Sequence, residues 1–137
     1  MVPVSAGMIL LDTHVVIWLL TARERLSLKA QEAILEARNA GEDLGCSPVS
    51  LYEIAYAVHR KRLTLNCKAE DFVAAIQSRL TVVPLTAAVV LCAAQLPDPF
   101  HGDPMDRMIA ATAIVSDCLL ITHDDRILKA NVCKALW

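Results

Sequence analysis

No Cys-x-x-Cys pair occurs among the five cysteines, Cys46, Cys67, Cys92, Cys118 and Cys133, and their number is odd. Such spacing suggests neither a disulfide framework nor a zinc knuckle, and a reducing cytoplasm is the expected setting. The histidines show no His-x-x-x-His spacing that would point to zinc either. No apolar run reaches the roughly 20 residues a membrane span needs. The longest, 8–20 and 82–96, are broken by Asp12 and His14 and by Pro84. No basic region precedes Met8, so no export signal is expected. A surplus of positive charge is missing too. The 13 Lys+Arg against 15 Asp+Glu give a formal net charge of −2, which excludes a protein that coats nucleic acid by bulk electrostatics.

What remains is a chain of 137 residues, 55% of them hydrophobic, the size of one compact domain with ample apolar surface to offset its ordering entropy. A single domain is expected. The run Met8-Ile-Leu-Leu-Asp12 is continuously aliphatic and ends in a carboxylate, as in a parallel strand covered on both faces. Further strands are expected at 46–49, 80–85, 118–122 and 133–136. Helices are expected at 13–20, at 27–38 behind a Ser27 cap, from Ser50 to about Arg62, at 69–80, 86–96, 105–115 and 125–130. For the second long helix, Ser50-x-x-Glu53 has capping-box spacing. Pro97, Pro99, Gly102 and Pro104 mark a loop. Strands alternating with helices predict a three-layer α/β/α sandwich around a central, mostly parallel sheet. Ligands of such sheets bind outside the carboxyl ends of the strands.

Four acids fall at that edge: Asp12 after the first strand, Glu53 after the second, Asp106 in the first turn of the 105–115 helix, and Asp124 after the strand at 118–122. Singly, each has an ordinary explanation, since carboxylates favour helix N-termini. Asp12 resists it, because a carboxylate between Leu11 and an apolar helix is desolvated and has no Lys or Arg adjacent in sequence. Four acids in one cleft would raise one another's pKa values unless a divalent ion neutralised them. All-oxygen ligands suit Mg²⁺ or Mn²⁺, which polarise a phosphodiester and activate water. Asp103 precedes Asp106 by three residues and is a supporting or capping candidate. Thr13, Ser50 and Thr122 adjoin the acids, where their hydroxyls would orient carboxylates or water, with capping the equal alternative for Ser50.

With those residues identified, the chain from Met8 onward resembles the PIN-domain family, and specifically the VapC-type toxin ribonucleases, which implies a single PIN-like domain over 8–137 and makes 1–7 an extension before the family's usual start. Ile9-Leu-Leu-Asp12-Thr13-His14 with Trp18-Leu19 resembles the family's opening strand and helix. Ser47-Pro-Val-Ser50-Leu-Tyr-Glu53-Ile54-Ala55 resembles its second acidic motif, Asp103-Pro-Met-Asp106-Arg107 its third, and Leu120-Ile-Thr122-His-Asp124 its fourth. The resemblance implies a Mg²⁺- or Mn²⁺-dependent endoribonuclease that cleaves structured RNA and is silenced by a cognate antitoxin protein. It further implies a homodimer, and a larger complex when the antitoxin is bound. Asp12, Glu53, Asp106 and Asp124 map onto the family's acidic quartet. Asp12, Asp106 and Asp124 would hold one ion or two, and Glu53 or Asp124 would orient or deprotonate the attacking water.

Because acids repel phosphate, RNA contacts are sought among Arg60, Lys61 and Arg62, and at Arg107 and Arg126, against the ordinary reading of solvated cations complementing a helix end. His14, His101 and His123 are assigned loop or surface roles. The competing reading is a catalytically silent PIN-like scaffold that binds a partner; the presence of all four acids argues against it. A phosphatase of the haloacid-dehalogenase type would show Asp-x-Asp where Asp12-Thr13-His14 stands, and a receiver domain would need an acceptor Asp where Val82-Val83-Pro84-Leu85 stands.

Overall fold

A computed structural model describes residues 7–97 and 103–137. The expected extension, apart from Gly7, lies outside the described residues, as do Pro99, His101 and Gly102. Five strands, β1 (Ile9–Leu11), β2 (Leu44–Cys46), β3 (Thr81–Val82), β4 (Leu119–Ile121) and β5 (Ala135–Leu136), form one sheet in the order β3-β2-β1-β4-β5. Every pairing is parallel. The helices are α1 (Thr13–Thr21), α2 (Leu28–Asn39), α3 (Pro48–His59), α4 (Ala69–Arg79), α5 (Ala87–Ala94), α6 (Pro104–Val115) and α7 (Asp125–Ala130), with a 3-10 turn at Arg23–Arg25.

β1 is central because its residues are apolar on both faces. Ile9 and Leu11 pack with Val15 and Val16 of α1, Ile34 of α2 and Ile76 of α4. Leu10 points the other way, into Ile109 and Ala113 of α6 and Ile127 of α7. Full burial of Leu10 and Leu11 contributes about 1.5–3 kcal/mol each. In β2, a Cβ on Gly45 would lie 2.8 Å from Met8 Sδ and 3.2 Å from Thr81 O, so the close approach of neighbouring backbone requires glycine there. The sandwich is the predicted one, and the sheet is wholly parallel.

Several boundaries differ from expectation: β2 lies at Leu44–Cys46 and not 46–49, and β3 is only Thr81–Val82 within the expected 80–85. β2 ends at Cys46, and Ser47, not Ser50, caps α3, its hydroxyl accepting from Val49 N at 3.1 Å with Pro48 in the first turn. Ser50 N already donates to Ser47 O at 3.0 Å, so the Ser50-x-x-Glu53 spacing is no capping box. It sets both side chains on one helical face. The five cysteines are free thiols. Among the described residues no helix is long and apolar enough to cross a membrane.

The chain winds outward from β1 to β2 and β3, then returns past β1 to β4 and β5. The strand order therefore reverses between β1 and β4, and a crevice is expected at their carboxyl ends.

Candidate metal centre

Asp12 lies at that reversal, its N–H donating to Ile121 O at 3.0 Å. Its Oδ1 accepts from Thr13 N at 2.8 Å, capping α1, and its Oδ2 accepts from the buried Thr122 hydroxyl at 2.6 Å. The Thr122 oxygen also accepts from Asp124 N at 3.0 Å, so one hydroxyl ties the ends of β1 and β4 together. Thr13 Oγ1 donates to Glu53 Oε1 at 2.7 Å and lies 2.9 Å from Ser50 Oγ. With its only proton given to Glu53, Thr13 must accept from Ser50. Glu53 sits one turn deeper in α3 than expected, and the N-terminal lean of helical side chains carries it back to the sheet edge.

The opposite side is built from caps. Asp103 caps α6 by accepting from Asp106 N at 2.9 Å, and Asp124 caps α7 by accepting from Arg126 N at 2.8 Å. Arg126 Nη2 lies 3.5 Å from Asp106 Oδ2, and its Nε lies 3.5 Å from Asp124 Oδ1. Asp12, Thr13, His14, Glu53, Asp103, Asp106, His123, Asp124 and Arg126 thus surround one cleft of about 360 Å³. The four acids from separate parts of the sequence meet there, as expected, with Asp103 beside them.

Burial raises the Asp12 carboxyl above its usual range despite the donors Thr122 and Thr13. Glu53 is raised, by burial first, then by the charges of Asp12 and Asp103, with the Thr13 hydrogen bond opposing. Asp106 is pushed up to about 7, by burial and then by Asp103, Asp12, Asp124 and Glu53. The cleft therefore holds more negative charge than Arg126 offsets. Among the described residues no three carboxylate, imidazole or thiolate groups are drawn tightly enough to ligate one ion. That geometry still suits Mg²⁺, which takes one or two carboxylates directly and keeps several waters. The donor set, all oxygen and in excess negative charge, fits a hard divalent cation.

A model of the PIN domain matches residues 9–132. Ribonuclease VapC22 of Mycobacterium tuberculosis (strain ATCC 25618 / H37Rv) is 34% identical over 119 residues, covering 87% of this chain and 88% of that protein. The chain belongs to the PIN-domain family and is of the VapC type. The PIN fold is seen again in VapBC2 from Rickettsia felis bound to a DNA fragment from its promoter, at a TM-score of 0.71 and 16% identity, covering 94% of this chain and 97% of that one. VapBC-1 from nontypeable Haemophilus influenzae gives a TM-score of 0.67 at 18% identity, over 94% and 96%.

The predicted cations of this PIN domain do not share one place. Arg126 lines the cleft. Arg107 donates from Nε to Ala93 O at 3.1 Å and from Nη2 to Leu96 O at 2.9 Å, holding the end of α5. Arg60, Lys61 and Arg62 are exposed beyond the C-terminus of α3, where Lys61 adopts φ 57° and Arg62 N donates to Ala57 O at 2.8 Å. They form the left-handed stop of the helix whose N-terminal half carries Ser50 and Glu53. Sequence reasoning missed what adjoins the acids: His14 and His123 are exposed, and both also line the cleft in ring contact with Trp18. The available signal was local, since each histidine lies within two residues of a site acid.

Proposed function

We infer that the chain is a divalent-cation-dependent endoribonuclease, the toxin of a type II toxin–antitoxin module, acting on structured RNA. The observation that carries the reading is the convergence of the Asp12, Glu53, Asp103, Asp106 and Asp124 carboxylates in one cleft at the sheet's reversal point, more acids than the lining Arg126 can offset. That charge excess is the counterpart of a bound cation. The relationship to a protein named a ribonuclease supports the substrate class.

Asp12 and Asp106, with Asp124 acting through water, would hold Mg²⁺ or Mn²⁺, which would supply a counter-charge for the phosphodiester and lower the pKa of a bound water. Thr122 and the Thr13 amide fix Asp12 in one orientation. Thr13 and Ser50 fix one oxygen of Glu53 and leave the other to accept a proton from the attacking water. That free oxygen favours Glu53 over Asp124, whose Oδ1 caps α7 and whose Oδ2 lies 3.5 Å from Arg126 Nη2. Arg126 at the rim can turn from Asp106 to a phosphate oxygen.

The partners follow the same reading: an antitoxin protein, as in the VapBC complexes that share the fold, and a second copy of the chain. Exposed Val90 and Leu91 on α5 and Ile114 and Val115 on α6 supply apolar surface for such contacts. The test is cleavage of total RNA by the purified chain with Mg²⁺. Cutting is expected to stop with EDTA and to fall more than about a hundred-fold in Asp12→Asn, while the fold survives. Full activity in that variant would falsify the assignment, and no activity in any metal would favour the scaffold.

A further inference from the structure

Four carboxylates repel an RNA backbone, so the strand needs a hold that does not depend on charge at the cleft itself. Among the described residues Arg126 is the cation lining it. Besides the acids, Thr13 and Arg126, two imidazoles line it, those of His14 and His123. His14 in the first turn of α1 and His123 between β4 and α7 are exposed, and behind them stand Trp18 and Trp137, each half-buried against the core. Ring centroids are 5.7 Å apart for His14 and Trp18, 5.4 Å for Trp18 and His123, 5.0 Å for His123 and Trp137, and 5.8 Å for the two tryptophans. His123 stands at 76° to both indoles, so edge-to-face contacts on two sides hold it upright.

Packing alone does not call for two exposed imidazoles at the mouth of an acidic cleft. A fixed, exposed π-face there does suit a nucleobase, because stacking adds affinity without adding or opposing charge. We propose that His14 and His123, held by Trp18 and Trp137, form a stacking platform for an unpaired nucleobase of the RNA adjoining the phosphate that the acids act on. This rests on the nuclease reading above and adds a requirement to it: the base beside the cut must be free of a duplex stack.

The two tryptophans of the sequence both lie in this cluster, so intrinsic emission reports on it directly. The full chain carrying Asp12→Asn is titrated with a short end-labelled single-stranded RNA in Mg²⁺, with binding followed by anisotropy of the label and by tryptophan emission. Binding is expected to quench the emission. In a set of strands with one abasic site moved along the sequence, one position is expected to lose the quenching and bind about ten-fold more weakly. Adding His123→Ala should weaken the intact strand by about the same factor and make the abasic site cost nothing further. His123→Phe, which keeps the π-face and loses the ring nitrogens, should restore binding, and His14→Ala, at an exposed position, gives a second reading.

Unchanged emission at saturation, equal binding of intact and all abasic strands, or failure of His123→Phe to restore affinity in a folded protein overturns the platform. Cleavage of both the short strand and total RNA by the chain with Asp12 intact is measured in parallel. Cutting without quenching overturns the platform alone, whereas neither cutting nor binding overturns the nuclease reading and the platform with it.

Discussion

On one side of the cleft Asp12 is buried, its two oxygens taken by Thr13 N and Thr122 Oγ1, and Glu53 is bonded to Thr13. On the other, Asp106 and Asp124 meet Arg126 across 3.5 Å, with 61% of the arginine side chain exposed. The first side is fixed by neutral donors built into the sheet edge. They orient a carboxylate without cancelling its charge. The second is balanced by a flexible cation that can leave. The difference separates two jobs, holding a ligand in a set geometry and adjusting to what arrives, and each can be broken by a different substitution.

Among substitutions that test this comparison while leaving Asp12 and Glu53 in place, the largest effect is expected at Thr122. Thr122→Val keeps the shape of this fully buried side chain but removes the donor to Asp12 Oδ2 and the acceptor for Asp124 N. Leaving those groups unpaired costs about 1–3 kcal/mol of stability. RNA cleavage should fall by about ten- to a hundred-fold, as for other groups that orient metal ligands. Thr122→Ser should retain most of both. Urea melts and cleavage rates across a Mg²⁺ series read the two effects, and a Thr122→Val protein cleaving like the native one would abolish the distinction between the sides.

The fixed side was also the more legible in the sequence. Leu10 and Leu11 belong to an unbroken aliphatic run, which announces a central strand, and the run ends in Asp12. Ser50 carries two readings, partner of the acids and helix cap, because a local pattern, Ser-x-x-Glu, matches a cap when Pro48 is overlooked. Proline at the first helical position marks Ser47 as the cap and turns the same spacing into two groups facing Thr13. Arg60, Lys61 and Arg62 were sought near the RNA although α3 starts at the carboxyl edge of the sheet and runs away from it. Its end lies about 1.5 Å per residue farther off. The cluster of His14, Trp18, His123 and Trp137 gave no such sign, because contacts between residues more than a hundred positions apart have no spacing to read.

A smaller effect is expected on the adjustable side, in the pH dependence of stability. The folded Asp106 carboxyl, at about 7, lies above its ordinary unfolded value. The folded chain therefore binds this proton more tightly. The resulting stability is fully present below about pH 4 and is lost as pH rises through about 7. Asp106→Asn should accordingly be more stable than the native chain at pH 8, by about 1 kcal/mol once solvent screening is allowed for. The gap should close toward pH 4. Mg²⁺ should narrow it at pH 8 by raising the melting temperature of the native chain more than that of the variant, and should do little at pH 5. Melting curves at the three pH values check this; a constant gap would show that the charge on Asp106 is not what the ion relieves.

The smallest effect belongs to Arg126. Its contacts at 3.5 Å are long and its side chain is largely in solvent, so Arg126→Ala should leave the melting temperature in moderate salt unchanged. The same substitution removes a positive charge that competes with a divalent ion for Asp106 and Asp124. Mg²⁺ binding, followed by the rise in melting temperature, should therefore tighten, by about two- to three-fold for a screened single charge. RNA binding should weaken at the same time if the guanidinium turns to phosphate. Opposite movements of metal and RNA affinity are the signature of a cation that serves both. If both affinities fall together, Arg126 instead fixes Asp106 and Asp124 as Thr122 fixes Asp12, and the two sides of the cleft are built alike.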